Sequence, residues 1–206
     1  MQSEPRALIF DFFGVIAQFD EGILYRKIAS ECREPESAYR ALHGLPSTPS
    51  LIEGRTTLEQ VHERLVTELG YGASFQSFHQ IWLEPYSSPM PDFSPLIGEL
   101  RDRYRLVLLS NVDGYYFEAI RNLHPELRDF DVQLVSFELG FSKPSEQAFH
   151  AAIAAAEAPA HECFFVDDKA ENIAAAMRLG IRGHVFTSTL GCRQALVTAG
   201  VMCGDA

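Results

Sequence analysis

The sequence predicts an α/β fold in which helices cover both faces of a mostly parallel sheet. Short apolar runs alternate with amphipathic helical stretches through most of the 206 residues, and this alternation is typical of parallel sheets buried on both faces. A second observation sets one segment apart, because residues 20–82 show helical periodicity and contain no convincing strand. Together these features predict a parallel-sheet core that carries a helical insert after its first strand.

Five apolar runs have the length and flanking residues of buried strands. They are residues 8–10, 106–109, 132–136, 163–166 and 183–186. The stretches between them predict helices over residues 94–104, 114–123, 146–157, 171–179 and 192–199. Prolines at positions 91, 144 and 159 fall where helices or connections should begin, which agrees with the exclusion of proline from helix interiors.

The insert is predicted to contain four helices, over residues 23–32, 39–42, 58–69 and 75–82. Glycine and proline residues separate these stretches and mark turns and hinges. We therefore divide the chain into a core, formed by residues 1–16 and 87–206, and a helical domain, formed by residues 17–86.

Composition limits the classes of function. With 28 acidic and 17 basic residues, the net charge of -11 repels phosphate backbones and no dense Lys/Arg cluster offsets it, so we expect no nucleic-acid partner. No apolar run approaches the roughly 20 residues that span a bilayer, so we expect no membrane partner. The four cysteines lack a C-x-x-C pair and the N-terminus lacks a signal-peptide core, which favours a reduced, cytoplasmic protein. Nothing in the sequence indicates an oligomeric state.

Polar side chains follow the predicted strands at the edge where a parallel sheet places its chemistry. Asp11 follows the first strand, Ser110 and Asn111 follow the second, Lys143 lies after the third, and Asp167 and Asp168 follow the fourth. Each of these residues alone is compatible with a helix cap, a turn or a surface position. Their joint occurrence at four strand ends predicts an active site.

These residue types suit phosphoryl transfer through a phosphorylated aspartate. The Asp11 carboxylate is ionised at neutral pH and can attack phosphorus. A hard divalent cation held by Asp11, a backbone carbonyl and a carboxylate of the Asp167–Asp168 pair would neutralise the two approaching anions. The groups expected to hold the phosphate oxygens are Lys143, Ser110, Asn111 and the backbone amides of Phe12, Phe13 and Gly14.

With these motifs the chain resembles the haloacid dehalogenase superfamily of hydrolases over essentially its whole length. In that family a nucleophilic aspartate, a serine or threonine, a lysine and an acidic pair follow one another, matched here by Asp11, Ser110, Lys143 and Asp167–Asp168. The resemblance implies a Rossmann-like core, a helical-bundle cap that closes over the site, and Mg²⁺ as cofactor. The metal ligands that it implies are Asp11, the Phe13 carbonyl and Asp168, with Asp167 and Asn172 in support.

The motifs also resemble those of a branch of small sugar phosphatases, which includes α-glucose-1-phosphate phosphatases. The shared features are Asp-x-x-x-Val-Ile at the first motif, Leu-Ser-Asn at the second, Lys-Pro at the third and the turn Glu53-Gly54-Arg55 in the cap. This resemblance implies a phosphoric monoester hydrolase whose substrate is a small phosphorylated metabolite such as a sugar phosphate. Glu53 and Arg55 themselves are predicted to be turn and surface residues.

Phe13 departs from the family pattern, because phosphatases of the family usually carry an aspartate two residues after the nucleophile. That aspartate protonates the leaving group, and general acid–base help is typically worth about 10²–10⁴-fold in rate. Asp20 and Asp113 are candidates to replace it, although both positions favour the simpler role of a helix N-cap.

Two alternative functions remain open. Metal-independent 2-haloacid dehalogenases resemble this chain and have an aromatic residue, a tyrosine, at the position of Phe13. The Asp167–Asp168 pair argues against this activity, because two further charges beside Asp11 need a cation to neutralise them. The second alternative is a binding or regulatory protein that keeps the phosphate pocket but has lost turnover, since Phe13 replaces the usual acid.

Overall fold

A single parallel sheet of five strands forms the centre of the computed structural model, which describes residues 4–84 and 93–203. The strands are β1 (Ala7–Phe10), β2 (Arg105–Ser110), β3 (Val132–Val135), β4 (Cys163–Asp167) and β5 (Arg182–Val185). Their order across the sheet is β3-β2-β1-β4-β5, and all neighbouring strands pair in parallel. The predicted α/β class and parallel sheet are confirmed.

Helices cover the sheet, and the regular elements that the structure describes between β1 and β2 are all helical. Those of the insert are α1 (Glu21–Ser30), α2 (Pro35–Ala41), α3 (Pro49–Ile52), α4 (Leu58–Arg64) and α5 (Phe75–Leu83). Those that follow are α6 (Phe93–Leu100), α7 (Gly114–Leu123), α8 (Ser136–Leu139), α9 (Glu146–Ala156), α10 (Ala170–Arg178) and α11 (Thr189–Thr198). Most boundaries lie within about three residues of the sequence prediction, and such differences are common at helix ends.

The insert differs from its prediction by one additional short helix. The prolines at positions 46 and 49 indicated turns, whereas Leu45–Ser47 forms a 3-10 turn and Pro49 begins α3. Proline suits a first helical turn because its missing N–H would have no intrahelical partner there. The division of the chain into core and cap domains stays a prediction, and its second boundary, between residues 86 and 87, lies outside the described residues, as does Pro91.

Alternating side chains of the strands supply two apolar cores, one on each face of the sheet. Ile9 of β1 packs with Phe149 and Phe165 beneath α9 and α10. Leu8 and Phe10 face the other side, into a cluster that continues through the insert by way of Leu24, Ile28, Phe78 and Trp82. Burial of this continuous cluster holds the helical insert against the carboxyl end of β1.

Strand register brings the predicted site residues to one edge of the sheet. Phe10 of β1 is level with Leu108 of β2 and with Val166 of β4. The next residue along each strand is therefore Asp11 in the centre, with Asp167 directly beside it. Among the described residues no helix has both the length and the apolar character needed to cross a membrane.

Candidate active site

Lys143 lies between two buried carboxylates at this edge. Its Nζ atom is 2.7 Å from Asp11 Oδ1 and 2.7 Å from Asp167 Oδ2, and all three side chains are less than a tenth exposed. Asp11 lies 132 positions before Lys143 and 156 before Asp167 in the sequence, and the parallel sheet brings the three side chains together.

Asp167 is held by neighbours on its own loop and helix. Asn172 Nδ2 donates to both Asp167 oxygens at 2.9 Å, and the Lys169 backbone N–H donates to Oδ1 at 2.8 Å. Together with Lys143 these donors fix the orientation of the carboxylate. Such an arrangement is typical of a group that supports a site rather than one that reacts.

Asp168 completes a cluster of three carboxylates. One oxygen each from Asp11, Asp167 and Asp168 lie within 4.8 Å of one another. Gly14 makes this approach possible, because a Cβ atom at that position would lie 2.5 Å from Asp168 Oδ2. Gly14 also has a φ of +79°, a backbone conformation that glycine adopts without strain.

The electrostatics of the cluster fit a bound cation. Burial raises the pKa of Asp11, and the charges of Asp167 and Asp168 add to this effect against the attraction of Lys143. Burial also opposes ionisation of Asp167, but Lys143 and its other donors lower the pKa of that carboxyl. Lys143 pairs with Asp11 and Asp167, whereas burial and the charge of Asp167 raise the pKa of Asp168 against the attraction of Lys169 and Lys143. Oxygen ligands with an excess of negative charge are those that Mg²⁺ prefers.

Ser110 and Asn111 lie where β2 ends. The Ser110 hydroxyl is buried and has no hydrogen-bond partner among residues 4–84 and 93–203, and a buried polar group of this kind indicates a ligand that it can bind. The Asn111 side chain lines the cavity and bonds to the Lys143 backbone, and its predicted contact with phosphate stays a prediction. Its amide donates to the Lys143 carbonyl and accepts from the Lys143 backbone N–H, both at 2.9 Å, and so it fixes the lysine loop.

The loop after Asp11 also uses its amides internally. The Phe12 N–H donates to Asp11 Oδ1 at 2.7 Å, and the Gly14 N–H donates to the Ala17 carbonyl at 2.8 Å. Their predicted contact with phosphate therefore stays a prediction. The Phe13 side chain packs against the rings of Phe12 and Phe19 and lines the pocket, so it forms an apolar wall where a second carboxylate was expected in the family.

Both candidates for a replacement acid are helix N-caps, as their positions favoured. Asp20 accepts from the Gly22 N–H at the start of α1 and is exposed. Asp113 accepts from the N–H groups of Tyr115 and Tyr116 at the start of α7, and its other oxygen lies 3.4 Å from Trp82 Nε1. Asp113 differs from Asp20 in that it lines the pocket, and burial raises its pKa to about 6.

A cavity of about 260 Å³ opens over these residues and is roofed by the insert. Its roof consists of Phe19, Glu21, Pro46 and Ser47. Glu21 accepts a hydrogen bond from Tyr25 of its own helix and one from Ser47 at 3.4 Å. The sequence prediction missed Glu21 and Ser47, because no spacing rule connects a residue of α1 with a 3-10 turn some 25 residues later.

A parallel sheet covered by helices, with a buried aspartate, a lysine and an acidic cluster at its carboxyl edge, is the arrangement of a hydrolase with a Rossmann-like fold. A family model of haloacid dehalogenase-like hydrolases matches residues 5–180. The chain belongs to this family, and the predicted superfamily is confirmed. The sugar-phosphatase branch stays a prediction.

Two curated relatives are phosphatases. D-ribitol-5-phosphate phosphatase of Bacteroides thetaiotaomicron is 24% identical over 181 residues, which cover 84% of this chain and 87% of the relative. Sesquiterpene phosphatase astK of Aspergillus oryzae is 29% identical over 108 residues, which cover 52% of this chain and 55% of the relative.

Solved structures of the family share the fold. A haloacid dehalogenase family enzyme from Bacteroides thetaiotaomicron, in complex with magnesium and inorganic phosphate, superposes with a TM-score of 0.78 at 21% identity, covering 90% of this chain and 96% of that one. An L-2-haloacid dehalogenase superposes with a TM-score of 0.66 at 21% identity, covering 91% and 86%. At this level of identity both likenesses concern the fold alone.

Proposed function

We propose that the protein is a Mg²⁺-dependent phosphatase of small hydroxylated phosphomonoesters, with Asp11 as the nucleophile. The observation that carries the proposal is the cluster of Asp11, Asp167 and Asp168, in which Lys143 pairs with Asp11 and Asp167. The phosphatase activity of the two relatives and the magnesium in the related structure support it. The cytoplasmic location predicted from the sequence stays a part of the proposal.

Asp11 performs the displacement at phosphorus. One of its oxygens forms a bond to phosphorus as the bond to the ester oxygen breaks, and the alcohol leaves with the electron pair and takes a proton from solvent. Water then attacks the phosphorylated aspartate, the carboxylate leaves phosphorus, and inorganic phosphate is released. Lys143 at 2.7 Å keeps the Asp11 carboxylate in one orientation during both steps.

Asp11, Asp168 and the Phe13 carbonyl are the groups that would hold the metal, with Asp167 tying Lys143 to the same cluster. When bound, Mg²⁺ neutralises the carboxylates and the phosphate and orients the attack. Lys143 and the buried Ser110 hydroxyl then supply donors to the phosphate oxygens as charge develops on them. That the Ser110 hydroxyl bonds to no other described residue supports this role.

The roof of the cavity favours a hydroxylated, uncharged leaving group. The Glu21 carboxylate and the Ser47 hydroxyl accept hydrogen bonds from alcohol groups, and the Glu21 charge repels a second phosphate or a carboxylate. These two polar groups, beside the apolar Phe19 and Pro46, support a polyol or sugar phosphate, the class of substrate for which the ribitol-5-phosphate relative is named.

Dehalogenation is the less supported activity. A 2-haloacid is itself an anion, and the charges of Asp167 and Asp168 beside Asp11 repel it unless a cation is bound. The aromatic side chain of Phe13 is shared with dehalogenases, but it serves as a pocket wall in contact with Phe19.

A panel of phosphomonoesters tests the proposal, with phosphate release measured in Mg²⁺ and in EDTA. We expect metal-dependent release from polyol and sugar phosphates, no release by Asp11→Asn, and no chloride release from 2-chloropropionate. Metal-independent chloride release would establish the dehalogenase instead. Binding of phosphate with no turnover of any ester, and the same binding by Asp11→Asn, would indicate the binding or regulatory protein.

A further inference from the structure

The turn Glu53-Gly54-Arg55 connects the helical insert with the loop that carries Lys143. Ser142, which directly precedes Lys143, donates its hydroxyl proton to Glu53 Oε1 at 2.7 Å. Ser142 is buried, and the Glu53 side chain is only 14% exposed. Arg55 forms an ion pair with the other Glu53 oxygen, and both contacts lower the pKa of Glu53. The carboxylate is thus ionised, oriented from two sides and shielded from solvent.

A second contact ties the same turn to the other loop of the site. The Ser136 hydroxyl donates to the Ile52 carbonyl, and it accepts from the Val112 N–H at 3.0 Å. Val112 follows Asn111, whose side chain holds the Lys143 backbone at both its N–H and its carbonyl. The two loops therefore form one hydrogen-bonded unit, and the insert is bonded to each of them.

Gly54 allows the close approach that these bonds require. Its φ is +73°, and a Cβ atom there would lie 2.9 Å from the Phe137 carbonyl oxygen of α8. A contact this short with backbone is not relieved by rotating a side chain. The turn is thus packed on the main chain of α8, which fixes the position of the backbone from which the Glu53 side chain reaches Ser142.

We propose that Glu53 is a positioning residue that fixes the Lys143 loop through Ser142. The inference rests on the proposed function, since Lys143 is the group whose placement matters for phosphoryl transfer. Because Lys143 Nζ contacts Asp11 and Asp167 at 2.7 Å each, a shift of its loop moves the ammonium away from the nucleophile. Loss of the Glu53–Ser142 bond therefore lowers kcat more than it raises KM.

Four variants test this role with p-nitrophenyl phosphate and Mg²⁺. We expect Glu53→Ala and Ser142→Ala each to lower kcat about tenfold with KM changed by less than about twofold. The double variant should resemble Glu53→Ala, because Glu53→Ala already removes the bond that Ser142→Ala removes. Glu53→Gln should keep kcat within about twofold of wild type, since its amide oxygen still accepts from Ser142. Multiplying effects in the double variant would overturn the proposal.

Tyr115→Phe is the matched control for loosening the insert in general. Tyr115 of α7 donates to Glu59 of α4 at 2.8 Å, so this variant breaks another bond between the insert and the rest of the chain without touching the Lys143 loop. We expect wild-type kcat. A loss equal to that of Glu53→Ala would mean that Glu53 merely helps to hold the insert in place.

Hydrogen exchange separates this inference from the proposed function. Amides of residues 139–143 should exchange faster in Glu53→Ala and Ser142→Ala than in wild type or Tyr115→Phe, whatever the substrate is. Unchanged exchange there would refute the positioning role even in a protein with no phosphatase activity. A wild-type protein that hydrolyses no phosphomonoester, yet shows the faster exchange in the variants, would refute the proposed function alone.

Discussion

Replacing Gly14 by alanine tests whether Asp168 must approach the nucleophile loop. The new Cβ would lie 2.5 Å from Asp168 Oδ2, whereas ordinary contacts begin at 3.4 Å, so the carboxylate must retreat by about 1 Å. Rotation of the Asp168 side chain relieves the contacts with Oδ2 and Cγ, at 2.5 and 2.7 Å, and withdraws an oxygen from the cluster, whereas the Asp168 Cβ at 3.2 Å needs only a small shift. We expect the Mg²⁺ concentration for half-maximal activity to rise at least about tenfold and kcat to fall about 10²-fold.

Gly200→Ala separates this contact from backbone strain. Gly200 has a φ of +82°, close to the +79° of Gly14, but its Cβ would meet no atom within 4 Å. An alanine in this conformation costs about 1–2 kcal/mol, which lowers the melting temperature of a chain of this size by about 2–8 °C. Both variants should show this loss.

The two variants are compared by calorimetric titration with Mg²⁺, steady-state kinetics and thermal unfolding. Together these measurements separate the effect of the Asp168 contact from that of backbone strain. Gly14→Ala should lose metal affinity and activity beyond the loss in Gly200→Ala, while the two melting temperatures fall by similar amounts. Unchanged Mg²⁺ affinity in Gly14→Ala would refute the argument that Asp168 acts from this position.

Three further predictions concern single side chains of the site. Ser110→Ala should lower kcat/KM by about 10²-fold without lowering the melting temperature, because the hydroxyl bonds to none of the residues that the structure describes; a large loss of stability with full activity would contradict this. Asp113 has its pKa raised from 3.8 to about 6, so its contribution to stability is complete below about pH 4 and is lost as the pH rises through 6. In urea unfolding, the free energy of unfolding of wild type should therefore fall by up to about 3 kcal/mol relative to that of Asp113→Asn between pH 4 and 7. A difference between the two proteins that stays constant over this range would contradict the prediction. Phe13→Asp should speed hydrolysis of alkyl phosphates more than of p-nitrophenyl phosphate, because only poor leaving groups need the acid. Alkyl phosphate hydrolysis at the wild-type rate would show that another group protonates the leaving group.

The sequence was sufficient to predict the sheet and the residues at its edge, for a physical reason. Buried parallel strands are continuous apolar runs, so their ends are visible in the sequence, and parallel pairing must bring those ends together. Asp11 and Asp167 are neighbours because the residues before them, Phe10 and Val166, are paired in the register of β1 and β4. The short helix Pro49–Ile52 was missed because its prolines are compatible with a turn as well as with a first helical turn.

The use of individual donors could not be predicted in the same way. Asn111 follows a strand, as a phosphate ligand would, yet its amide is occupied by the Lys143 backbone. Glu21 and Ser47 meet above the cavity only because the insert folds back over the sheet edge. Such contacts depend on the relative placement of elements distant in the sequence, and no local pattern encodes that placement.

In the proposed reaction, Phe13 contributes an apolar ring to the pocket and lacks the carboxyl group of a general acid. Its ring joins Phe19 in an apolar wall directly after the nucleophile. Asp113, the buried candidate for the missing acid, accepts from two backbone N–H groups and lies near Trp82 Nε1. Those donors lower the pKa of Asp113, but burial outweighs them and raises it to about 6. Because both Asp113 oxygens are engaged by these contacts, the proposed reaction takes the proton for the leaving group from solvent. A site built in this way relies on Lys143, the metal and correct placement of the nucleophile, which is why the contacts that fix the Lys143 loop matter more here than in a phosphatase with a general acid.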